Sequence, residues 1–167
     1  MWGVRREVEG KVAEHLHKGE QIYYEIFGYD GASEIQSGFT YGCSPGQHKV
    51  LLYRVSITTP DGFCIDLDRE QVYKRAEQLG LEKSHLFVNM NLDDDEVMSR
   101  DQWINNWVIL HASGKSTFDA GTMREGIVVW FKDSGGNWTN LKHKSEEFLI
   151  RESKLRDEEV GDPEDSL

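Results

Sequence analysis

Cysteine is scarce in this chain: Cys43 and Cys64 are the only two among 167 residues, and neither sits in a Cys-x-x-Cys pattern. That excludes a disulfide framework and makes a reducing, cytoplasmic setting the expectation. Long apolar runs are missing as well. No stretch approaches the roughly 20 apolar residues that a membrane helix needs, and residues 1–20 are charged without the apolar centre of a signal peptide, so the chain reads as soluble. Internal repeats are absent, and the only biased segment is the acidic end, 157–167, which reads as a disordered tail. Basic charge is in deficit too: 19 Lys and Arg stand against 30 Asp and Glu, a formal net charge of −11. A uniformly basic nucleic-acid surface is thereby excluded, but a local one is not. Residues 157–167 hold six of the acids and no base, and residues 124–156 carry seven bases against five acids.

What is present suits one folded domain over 1–156. Hydrophobic residues make up 38% and aromatics 11%, enough for a single core at this length. Val8, Val12 and Leu16 recur at four-residue spacing and predict a helix over Arg5–His17, ended by Gly19. Strands are expected at 20–27 and 49–58. Thr59-Pro60-Asp61-Gly62 forms a turn that returns the chain as a strand over Phe63–Leu67. Asp68 and Gln71 have the spacing of a capping box that opens a helix running to Leu79 and stopping at Gly80. A further helix is expected over Leu92–Trp107, its charged first turn being Asp93-Asp94-Asp95-Glu96 rather than a metal site. The fold class is α+β, with a largely antiparallel sheet flanked by helices.

Several local signals carry no chemistry. Gly114-Lys115-Ser116-Thr117 has the ending of a phosphate-binding loop, but Ile109 stands where its first glycine belongs. Asn137-Trp138-Thr139 matches a glycosylation sequon and reads as a turn in a chain without a secretion signal. His15 and His17, two apart on a helix, face different directions. Cys43 with His48, and Cys64 with His85, lack a zinc spacing.

The most informative segment runs from Arg124 to Ser145. Ile127–Phe131 is a β-branched and aromatic run, Asp133-Ser134-Gly135-Gly136-Asn137 supplies loop residues, and Lys142-His143-Lys144 closes a second strand. Side chains alternate along a strand, so Lys142 and Lys144 share one side while His143 points away. Two ammonium groups so placed can grip one phosphate; a solvated strand face is the alternative reading of the triplet alone.

Glu125-Gly126-Ile127-Val128-Val129, a short hairpin and Lys-x-Lys together resemble motifs IV and V of the covalent nucleotidyltransferases, which include polynucleotide ligases and capping enzymes. The continuation Lys142-His143-Lys144-Ser145-Glu146-Glu147-Phe148-Leu149, with Glu152-Ser153-Lys154 beyond it, is similar to ATP-dependent RNA ligases. Upstream, Gln21-Ile22-Tyr23-Tyr24-Glu25-Ile26-Phe27-Gly28-Tyr29 resembles motif III. Ile35-Gln36-Ser37-Gly38-Phe39-Thr40-Tyr41-Gly42-Cys43 is also similar to that family, and Leu52-Tyr53-Arg54-Val55-Ser56-Ile57 lies where motif IIIa belongs. Four ordered matches spread over most of the chain.

The resemblance implies a partial nucleotidyltransferase fold of the ATP-grasp-like ligase adenylation type, with ATP or AMP and Mg²⁺ or Mn²⁺ as cofactors and RNA ends as substrate. It implies that Lys142 and Lys144 contact the adenylate phosphate, that Glu125 holds the metal directly or through water, and that Glu25 accepts hydrogen bonds from the ribose hydroxyls. Tyr53 would stack on adenine. Arg54 departs from the family, which often has an acid after that aromatic. Arg124, Lys132, Arg151 and Lys154 are candidates for RNA backbone contacts, or else solvated surface. The nucleophilic lysine of motif I, in a Lys-x-Asp/Glu/His-Gly element before motif III, has no counterpart here. Lys11 and Lys18 lack the following residues, and Lys132-Asp133-Ser134-Gly135 comes too late. The chain is therefore expected to be the distal part of a ligase, needing motif I from a separate N-terminal segment and leaving an open sheet edge without it. Alternatives are a noncatalytic nucleotide- or RNA-binding remnant, and a DNA ligase or capping-type nucleotidyltransferase.

Overall fold

The computed structural model describes residues 2–89, 97–132 and 135–160. The acidic run 93–96, the expected helix start at 92, the loop residues 133–134 and the tail residues 161–167 lie outside the described residues. The chain divides into two compact units. One comprises the chain up to Phe87 with Lys132–Trp138, the other Val88–Phe131 with the chain from Thr139 onward. The class is α+β, with four helices and mainly antiparallel strands among the described residues.

The first unit is built on β1 (Glu20–Asp30) and β3 (His48–Thr58), which run antiparallel from Glu20↔Ile57 to Gly28↔His48. The register shifts between Tyr23 and Tyr24, which face Arg54 and Leu52, so Tyr53 is the extra residue of a bulge. β2 (Ser33–Glu34) pairs with the end of β1, and β4 (Cys64–Asp66) pairs with Ser56–Thr58 of β3. β5 (Glu82–Lys83) adds a parallel pairing at Leu51 and Leu52 that two residues of sequence do not announce.

Alternation puts Ile22, Tyr24 and Ile26 on one face with Val50, Leu52 and Val55. There they meet Val4, Val8 and Val12 of α1 (Trp2–Ala13) and Val72, Ala76 and Leu79 of α2 (Arg69–Leu79). The apolar stripe of α1 thus begins at Val4, upstream of the expected start, and the helix ends at Ala13 rather than His17. α2 follows expectation: the Asp68 carboxylate accepts from the Gln71 amide, Gln71 Oε1 accepts from the Asp68 amide, and Gly80 ends the helix at φ 64°. Arg75 of α2 reaches Glu20 at 2.6 and 2.8 Å and the His15 carbonyl at 2.5 Å, tying α2 to β1 and the α1 exit.

The second unit contains α3 (Val97–Ala112), α4 (Glu146–Val160) and all but the tip of the hairpin of β6 (Gly126–Lys132) and β7 (Trp138–Lys144), whose residues Lys132–Trp138 fall in the first. α3 runs five residues past the expected end at Trp107. Arg124 closes its C-terminal end, donating to His111 O in the last turn and to Ser113 O and Lys115 O just beyond it. Ser145 caps α4, its hydroxyl accepting from the Phe148 amide at 3.2 Å and donating to Arg124 O at 2.9 Å. Among the described residues, the buried apolar ones here are Ala112, Ile127 and Phe148, while Leu110, Leu141, Ile109, Ile150, Val128 and Leu149 are exposed.

Candidate functional site

In the first unit, α1 and α2 cover one face of the sheet, and the opposite face collects the residues expected at motifs III and IIIa. Tyr23, Glu25 and Phe27 of β1 alternate onto it, and Glu25 pairs across with Leu51 of β3. The bulge turns Tyr53 toward Tyr23, with ring centroids 6.5 Å apart. Its carbonyl, displaced from the regular ladder, accepts from Arg69 at 3.1 Å. Burial pushes the Tyr53 phenol above its ordinary pKa, and the charge of Glu25 adds to the effect. Glu25 and Tyr53 are therefore close enough to share one electrostatic environment.

Arg54 has a definite place on this face. Its Nε and Nη2 donate to the Asp66 carboxylate at 2.7 and 3.1 Å, and its guanidinium lies 4.6 Å from the Tyr23 ring centroid. The Asp66 hydrogen bond, followed by its charge, raises the Arg54 pKa against the cost of burial. Arg54 thus pairs with the carboxylate two positions before the α2 cap and lies over the Tyr23 ring. Nothing in the Tyr-Arg dipeptide points to Asp66; the antiparallel return of β4 brings it there.

In the second unit the hairpin brings Glu125, Lys142 and Lys144 to one end. Lys142 Nζ is 3.5 Å from Glu125, and Lys144 Nζ binds both oxygens of Glu152 on α4 at 2.7 and 2.8 Å. Lys144 also lies 5.0 Å from the Phe148 ring centroid. Each lysine expected to grip phosphate thus stands beside a carboxylate that holds its ammonium in place. Gly126 makes the arrangement possible: a Cβ there would lie 2.0 Å from His143 O and 2.8 Å from Lys144 Cα. The glycine after Glu125 lets β6 touch the backbone that carries the lysines.

The candidates for RNA contacts separate in the structure. Arg124 is committed to carbonyls of the α3 end and of the segment that follows it, and so has a structural role. Lys132 lies 5.2 Å from the Trp138 ring centroid, and Lys154 is exposed on α4. Sequence reasoning missed Glu152 as the partner of Lys144 and Asp66 as the partner of Arg54. The Glu152-Ser153-Lys154 segment was a signal for the first, since one turn of α4 separates Glu152 from the buried Phe148.

For a divalent metal, the donor set is a single carboxylate, Glu125, with an ammonium 3.5 Å away. Among the described residues no cluster of three or more potential metal ligands occurs. Such a site fits Mg²⁺ or Mn²⁺ only as an ion carried in by phosphates, which supply most of its ligands beside one carboxylate and water. No described helix is long and apolar enough to cross a membrane. Comparison with protein-family models, curated proteins and solved structures yields no match to this chain.

Proposed function

We propose that the chain is the distal part of the adenylation domain of an ATP-dependent RNA ligase, joining or repairing RNA ends through ligase-AMP and RNA-adenylate intermediates. The observation that carries this reading is the grouping of Glu125, Lys142 and Lys144 at one end of the β6–β7 hairpin. Adenylate transfer builds charge on the α-phosphate as pyrophosphate leaves, and fixed ammonium groups stabilise that charge without reorganising. Lys142 and Lys144 supply them, positioned by Glu125 and Glu152. Glu25 accepts hydrogen bonds from the ribose hydroxyls and Tyr53 stacks on adenine, both from the sheet face of the first unit. Glu125 is the carboxylate that would hold a divalent metal arriving with the nucleotide, and such a metal would neutralise phosphate charge.

The nucleophilic lysine is not among these residues, so the motif I segment must come from elsewhere. The test is incubation with labelled ATP and Mg²⁺, alone and together with the polypeptide encoded immediately upstream. The chain alone is expected to acquire no covalent AMP; a Lys-AMP adduct formed by the isolated chain would overturn the fragment reading. A second reading, a noncatalytic nucleotide- or RNA-binding remnant, draws on the pairing of both lysines with carboxylates. It predicts no adduct in either incubation. Comparing nicked RNA with nicked DNA separates RNA ligase from DNA ligase.

A further inference from the structure

The face that carries Glu25 and Tyr53 continues beyond them. Positions 49, 51 and 53 alternate onto the same side of β3, opposite the side on which Val50 and Leu52 meet the helices. Lys49 pairs across with Phe27 of β1, one alternation beyond the Glu25↔Leu51 pair. Tyr53, Glu25 and Lys49 therefore follow one another along the sheet, and at about 3.3 Å per residue the line from position 53 to position 49 spans about 13 Å. Lys49 also lines a cavity of about 390 Å³ with Gly42, Cys43, Gly46, Gln47 and His48. No carboxylate lines that cavity. His48 lies within electrostatic reach of Asp30, whereas among the described residues Lys49 has no carboxylate partner. In a chain of net charge −11, that ammonium is a cation with no neighbouring carboxylate to neutralise it, at one end of the line that starts at Tyr53.

We infer that Lys49 binds the phosphate end of the adenine nucleotide whose base and ribose are held at Tyr53 and Glu25. The inference rests on the nucleotide reading of that face and adds to it the group that takes the phosphates in the first unit. Base, sugar and phosphate are read in order along β3, by stacking, by a hydrogen-bond acceptor and by a cation. The cavity that Lys49 helps to line gives the phosphates room, and the turn beside it is shaped by Gly42 and Gly46 at φ 75° and 82°.

The experiment is calorimetric titration of the full chain with adenosine, AMP and ATP, for the native protein, Lys49→Ala, Lys49→Arg and Glu25→Ala. Native protein should bind AMP or ATP more tightly than adenosine. Lys49→Ala should weaken the phosphorylated ligand about tenfold, the scale of one charge-assisted hydrogen bond, while leaving adenosine unchanged and so showing that the face is intact. Lys49→Arg should recover most of the loss. If Glu25→Ala weakens all three ligands but Lys49→Ala weakens none, the role of Lys49 is overturned and the nucleotide reading survives. If native protein binds neither adenosine nor ATP, both fall.

Discussion

The Glu20 side chain is 2% exposed and that of its partner Arg75 11%, so their ion pair is held away from water. Burial alone would raise the Glu20 pKa; the hydrogen bond from Arg75, then the His17 amide and the Arg75 charge, outweigh it and leave the carboxyl below its ordinary value. A depressed folded pKa means that Glu20 contributes stability above its unfolded pKa of about 4.3 and loses it as pH falls through the folded value. Removing Arg75 strands a buried carboxylate, so Arg75→Ala should cost about 3 kcal/mol at neutral pH. Thermal melts of native protein and Arg75→Ala at pH 7 and below pH 4 check both points, with the difference between them shrinking in acid. Equal sensitivity at both pH values would remove the ion pair as the cause. Neither residue stands out in sequence, because the pair joins positions 55 residues apart through the packing of α2 on the sheet.

At the scale of elements, legibility followed locality. The capping box at Asp68 and the stop at Gly80 were readable because both signals lie within one turn of the helix they bound. The β6–β7 hairpin was readable from its apolar run and loop glycines. The end of α3 was not, since it depends on Arg124 reaching back to carbonyls 9 to 13 residues earlier. The bulge that turns Tyr53 was equally hidden, being a register shift fixed by two strands at once. Gly126 stands between these cases: visible as part of a motif, explained only by its contact. Gly126→Ala forces a methyl into the His143 carbonyl, and either the hairpin opens or β7 moves. The expected cost is about 3 kcal/mol, at the upper end for overpacking because the obstacle is backbone. The substitution should also separate Lys142 from Glu125. Chemical-shift changes confined to β6, with β7 and the α4 cap unmoved, would contradict that coupling.

Across the whole molecule, the two units differ in how their sheets are built and covered. In the first, two helices close one sheet face around Leu52, Val55 and Ala76, each with no exposed surface. In the second, a sheet of two strands stands by itself among the described residues, with Leu141 64% exposed on β7 and Val128 48% on β6. A two-stranded ribbon is marginal in water, and its outer edges present unpaired backbone donors and acceptors to any strand that arrives. On the proposed ligase reading, a motif I segment would add a strand to such an edge. Without it, the isolated chain should associate through the hairpin, and sedimentation velocity should show larger species growing with concentration. Leu141→Lys places a charge on the edge strand without disturbing the buried Ile127 and should reduce the association. A monodisperse native monomer that melts cooperatively would show instead that the hairpin is complete as it stands, and the fragment reading would lose its physical basis.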